Sequence, residues 1–91
     1  MAERIWIVSG EAGEYDDRRE WAESAWRTKA EANHRVAFLT AKLEETGANA
    51  VAGRSREIRN AAIERMKVYD PLFQLDDIGS SYSTYYTELR P

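Results

Sequence analysis

Histidine is the side chain best suited to acid–base work near neutral pH, and this 91-residue chain has one, His34. A general base needs a reacting neighbour and a metal site needs several converging ligands. With no cysteine and no second histidine in the chain, His34 reads as a surface or helix-packing residue. Ser9, Ser80 and Ser81 are possible nucleophiles that lack a base, so a triad is not expected. The carboxylates Glu11, Glu14, Asp16 and Asp17 are rich in oxygen ligands, but their spacing is not that of a calcium loop. They read as a solvated turn, as do Asp76 and Asp77. Gly10-x-x-Gly13 lacks the Gly-Lys-Ser/Thr that cradles a phosphate. These residues predict no catalytic centre, no metal and no cofactor: the chain is not expected to be an enzyme.

The aromatic residues are more informative. Three Trp and five Tyr exceed what one core layer of so small a chain easily holds, and Trp and Tyr dominate the energetics of protein interfaces. Trp6, Trp21 and Tyr86, with the acidic turn Glu14, Tyr15, Asp16 and Asp17, are therefore the expected partner-binding residues. Bases also stack on aromatic platforms, but affinity for a phosphate backbone comes from Lys and Arg. The net charge is −3. Residues 1–27 hold four Lys/Arg against seven Asp/Glu, residues 28–70 eight against six, and residues 71–91 one against three. The basic residues Arg54, Arg56, Arg59, Arg65 and Lys67 are interleaved with Glu57 and Glu64, as on a solvated helix face. A protein partner, or a second copy of the chain, is expected; nucleic acid is not.

One domain of residues 1–91 is expected from the length. Without cysteine the core, or an oligomer interface, stabilises it unaided. Only four apolar residues, Ile5 to Val8, follow the N-terminus, too few for a signal-peptide core or a membrane span. A cytoplasmic location is the expectation.

Positioning these residues falls to five elements. Residues 4–9 are β-branched and aromatic and read as a strand, apolar on both alternating sets and so central in its sheet. Residues 18–27 are ambiguous. Their period continues the helical stripe Ala32, Val36, Leu39 and Leu43, yet Thr28-x-x-Glu31 is a capping box that starts a helix at Thr28. That helix runs to Thr46 and stops at Gly47. Ala30, Ala37 and Ala41, with Phe38 at the edge, form a second, small-residue strip suited to another helix. Ser55 is expected to cap a second helix reaching Tyr69, with Ile58, Ala62, Met66 and Tyr69 in register and Pro71 ending it. Residues 82–89 alternate as a last strand.

The run Ile5-Trp-Ile-Val-Ser, then Gly13-Glu-Tyr-Asp-Asp-Arg, Trp21, Trp26-Arg-Thr and an Ala-rich helix resembles a family of small uncharacterised bacteriophage and prophage proteins. Gly79-Ser-Ser-Tyr-Ser-Thr-Tyr-Tyr-Thr-Glu-Leu89 resembles the Tyr-rich strand with which they often finish. The resemblance implies that residues 18–27 are a strand. The expected fold is then α+β: a three-stranded, mainly antiparallel sheet in the order ββααβ, with strand one central and two helices on one face. Ile5, Ile7, Ala22 and Trp26 are assigned to the helices, and Trp6 and Trp21 to the opposite face. The expected function is stoichiometric protein binding by a phage accessory protein, such as an inhibitor of host defence of the anti-CRISPR kind. A small-ligand or nucleotide sponge, its pocket between the acidic loop and the Tyr-rich strand, is the alternative.

Overall fold

A computed structural model of the chain describes residues 3–13 and 18–89. Strands β1 (Glu3–Ala12) and β2 (Arg19–Trp26) form an antiparallel hairpin. Helices α1 (Lys29–Thr46) and α2 (Arg56–Lys67) follow, joined through a 3₁₀ turn at Asn49–Val51, and β3 (Ser80–Leu89) returns antiparallel to β1. The sheet order is β2-β1-β3. This is the expected α+β fold, with residues 18–27 extended rather than helical.

The start of α1 is written in the sequence. Thr28 is extended (φ −123°, ψ 150°) and its hydroxyl accepts from the Glu31 amide at 3.2 Å. Gly47, at φ 70°, ends the helix in the left-handed conformation that glycine adopts without strain. The second helix departs from expectation at both ends. Ser55 occupies the N-cap position but its side chain makes no capping bond. At the other end, the Tyr69 and Asp70 amides both bond to the Met66 carbonyl. This tightens the last turn and ends α2 ahead of Pro71. Ala62 and Met66 are buried as the stripe requires, whereas Ile58 is exposed.

The assignment of sheet faces needs correcting. Register alone groups Trp6 with Trp26 and Tyr86, Val8 with Ser24 and Thr84, and Gly10 with Trp21 and Tyr82. This set faces the helices: Val8, Ala12, Trp21 and Tyr82 lie in the core with Ala32, Leu39, Leu43, Ala62 and Met66, and Trp6 and Trp26 pack at its margin. Ile5, Ile7, Ala22 and Ala25 fall on the other face. For the two tryptophans of β2 the cause is a bulge. The β1–β2 register shifts between Val8 and Ser9, leaving Glu23 as the extra residue of β2, so Trp21 and Trp26, five residues apart, share a face instead of opposing each other. Gly10 makes room for this packing, since a Cβ there would overlap the Trp21 indole.

Candidate functional site

Two places bring functional groups together: a polar cluster under the helices and the open face of the sheet.

The polar cluster is built on side chains that the sequence did not single out. Asp70 is fully buried. Its Oδ2 accepts from Trp21 Nε1 at 2.8 Å and from the Tyr82 hydroxyl at 2.5 Å, and its Oδ1 accepts from the Leu72 amide at 3.1 Å. Burial, and the hydrogen bond it donates to Asp70, push the Tyr82 phenol far above its ordinary pKa. Beside it, the bulge turns Glu23 toward α1, where Arg35 Nη2 meets its carboxylate at 2.6 Å and also donates to the Tyr69 carbonyl at 2.9 Å. The Glu23 carboxylate holds the Arg35 guanidinium above its ordinary pKa. Trp26 Nε1 donates to Ser24 Oγ at 2.7 Å, and Ser24 donates in turn to Glu23 at 2.5 Å. These bonds tie β2, α1, the residues after α2 and β3 together, and the Asp70 carboxylate at their centre is sealed from solvent. Its one sequence signal is Asp70-Pro71, a turn dipeptide. The two side chains that donate to Asp70 lie 12 and 49 residues from it in the chain, beyond any motif.

On the opposite face, Ile5, Ile7, Ala22, Ala25 and Tyr85 form an apolar centre, with Ser81, Ser83 and Thr87 around it. No described element packs against them, and Tyr85 is 51% exposed. Carboxylates mark both ends: Glu3 at one, and at the other Glu11 and Glu20, bridged by Arg18 at 2.8 and 2.6 Å. An apolar centre with a charged rim is the anatomy of a protein interface.

Of the residues expected to bind a partner, Trp6 and Tyr86 pack against each other with tilted rings, centroids 5.3 Å apart, on the helix side of the sheet. Trp21 is buried in the core, away from the open face assigned to it. Glu14, Tyr15, Asp16 and Asp17 lie outside the described residues. The face assigned to the tyrosines and tryptophans instead presents two isoleucines and Tyr85.

His34 is exposed and shares a shallow groove with Trp26, Glu31, Arg35 and Phe38. Glu31 and His34 are three apart on α1, a spacing that could point both at one metal. The Glu31 carboxylate, however, accepts from the Thr28 hydroxyl at 2.8 Å as part of the helix cap. Among the described residues no three His, Asp or Glu side chains converge on a metal position, and no helix is long and apolar enough to cross a membrane. Asp77 pairs with Arg59 at 2.7 Å, so part of the basic stretch on α2 is neutralised.

No protein-family model matches the chain, and no curated protein or solved structure matches it.

Proposed function

We propose that the chain is a phage or prophage accessory protein that acts in the host cytoplasm, without catalysis, by stoichiometric binding of another protein through its open sheet face. The observation that carries this reading is the apolar centre of the open face, where Ala22, Ala25 and Tyr85 are exposed and Ile5 and Ile7 half-buried, on a sheet whose other face is covered. Its acidic rim suits a partner with a basic surface. Within that class, inhibition of a host-defence complex of the anti-CRISPR kind is the sharper form of the proposal. A carboxylate-rimmed face competes with nucleic acid for a positively charged channel.

In hosts with an active defence system, the wild-type chain should raise phage plating efficiency. Tyr85→Lys should abolish the effect while shifting folding stability by less than about 1 kcal/mol, as expected for an exposed position. Unchanged plating with the wild-type chain across the defence systems tested would count against the sharper form. Plating that is equally raised by Tyr85→Lys would remove the sheet face from the mechanism.

One observation favours a second reading, a small-ligand sponge. A groove of about 500 Å³ runs between the end of α1 and the start of β3, lined by Leu43, Gly47, Asn49, Ser80 and Tyr82 among others. The position expected from the sequence, beside Glu11 and Gly13, holds a smaller one of about 280 Å³. A nucleotide bound at a hundred times its Kd should stabilise the chain by about 2.7 kcal/mol, which a thermal-shift panel detects.

A further inference from the structure

The two edges of the sheet are built differently. The β2 edge carries Arg19, Glu20 and Glu23 within eight residues and is broken by the bulge at Glu23. Charges and bulges are the devices that keep an edge strand from pairing. The β3 edge has neither: its ten residues, Ser-Ser-Tyr-Ser-Thr-Tyr-Tyr-Thr-Glu-Leu, hold one charge and no proline, and they pair with β1 without a register shift.

The outward-facing groups of β3 follow from one contact. In an antiparallel ladder the N–H and C=O of a residue point to the same side, and the side alternates along the strand. The Ser80 amide donates to Asn49 Oδ1 and the Ser80 carbonyl accepts from Asn49 Nδ2, both at 2.8 Å. The Ser80 groups therefore point away from β1, and so do those of Tyr82, Thr84, Tyr86 and Glu88. Among the described residues, nothing pairs with the backbone of these four on that side.

Helix α1 lies over β1 and β3, and its flank above the open edge carries Lys29, Asn33, Val36, Ala37, Thr40 and Glu44. Thr40 and Glu44 line the groove that opens beside Ser80 and Ser81. This flank is complementary to itself when two copies run antiparallel. Lys29 then meets Glu44, Asn33 meets Thr40, and the small residues Val36 and Ala37 meet at the centre. The helix runs antiparallel to β3, from Lys29 over Trp6, itself paired with Tyr86, to Asn49 at Ser80. Its centre thus lies at the level of Thr84 and Tyr85. Facing side chains of an antiparallel pair lie on one side of the sheet, so a two-fold axis normal to the sheet must pass through a residue. Thr84 and Tyr85 are the residues at that level. Strands about 4.8 Å apart would then place the two α1 axes about 10 Å apart, the ordinary distance for packed helices.

We infer that the protein is a two-fold dimer in which β3 pairs with β3 of a second copy, giving a six-stranded sheet, while the two α1 helices pack across the axis. The start of each α1 fills the groove at the end of the other. This interface uses the edge and the helix flank and leaves the open sheet face uncovered, with Tyr85 of the two copies brought together on it beside the axis; its test therefore rests on Lys29 and Glu44 and not on Tyr85.

Sedimentation equilibrium of the full chain should give twice 10.5 kDa. Lys29→Glu sets two carboxylates against each other at each end of the helix pair and should raise the dimer Kd roughly tenfold or more. Adding Glu44→Lys should restore it. Both changes suit the helix dipole, negative at the start and positive at the end, so loss of fold is not the expected cause of dissociation. Amide exchange supplies the second readout. The Tyr82, Thr84, Tyr86 and Glu88 amides should gain protection as the dimer forms, while those of Ser83, Tyr85 and Thr87, bonded to β1, should be protected throughout. A monomer at about 100 µM, far above the Kd of a specific dimer, would overturn the inference. So would a dimer indifferent to Lys29 and Glu44, or one without the alternating protection.

Discussion

On the helix-covered face of the sheet, Trp21, Trp26 and Tyr82 each carry a polar group inward, and each group finds an oxygen within 2.8 Å. On the open face, Ile5, Ile7, Ala22 and Ala25 bring no side-chain polar group at all, and the Tyr85 ring stays half exposed. The two faces differ in what constrains them. A buried donor must be matched in position and direction, so the covered face tolerates one arrangement. Among the described residues nothing but its own strands holds the open face, and no buried donor restricts which side chains it carries.

Breaking the covered face should be costly in proportion to the bonds lost. Trp21→Ala removes an indole packed edge-on against Phe73 and Tyr82 and takes a donor from Asp70. A loss of about 4 kcal/mol is expected by chemical denaturation, a large share of what a domain this size possesses. Arg35→Met leaves the Glu23 side chain, 6% exposed, without its cation and should cost about 3 kcal/mol. Arg35→Met combined with Glu23→Gln should recover part of that, since no unpaired charge then remains. A double variant as unstable as the sum of the two single ones would show that the pair acts only through packing.

Tyr82→Phe sharpens the comparison through pH. The Tyr82 pKa is raised in the folded chain, so the phenol keeps its proton there while the unfolded chain releases it above about pH 10. The unfolded state then binds fewer protons, and stability should fall with rising pH by about 1.4 kcal/mol per unit. Below that pH the contribution is fully present. Denaturation curves from pH 8 to 11 should show the alkaline fall shallower by one proton in Tyr82→Phe than in the wild-type chain.

The elements of the fold were legible because their signals are local. Thr28, Glu31 and Gly47 bound α1 through contacts within a few residues, and a short connection makes the β1–β2 hairpin. The faces were not legible, for two reasons. Both alternating sets of β1 are apolar, so Ile5 and Ile7 look as core-like as Trp6 and Val8. The bulge at Glu23 also breaks the period of two on which any assignment of Trp21 against Trp26 depends. The Asp70 cluster was invisible because a buried carboxyl is recognised by its donors, and these come from β2 and β3. An open sheet face was expected, but with Trp6 and Trp21 on it where the structure has Ile5, Ile7 and Tyr85.

The Asn49 side chain offers Ser80 one donor and one acceptor, as a neighbouring strand would. Strand β3 joins β1 late in the chain, and its run of Ser, Thr and Tyr has little in its pattern to choose one alignment over the next. A slip by one residue would turn the Tyr82 hydroxyl away from Asp70 and offer Asn49 a residue whose backbone points toward β1. The short turn after α1 thus acts as a ruler that marks, from outside the sheet, where β3 must sit along β1.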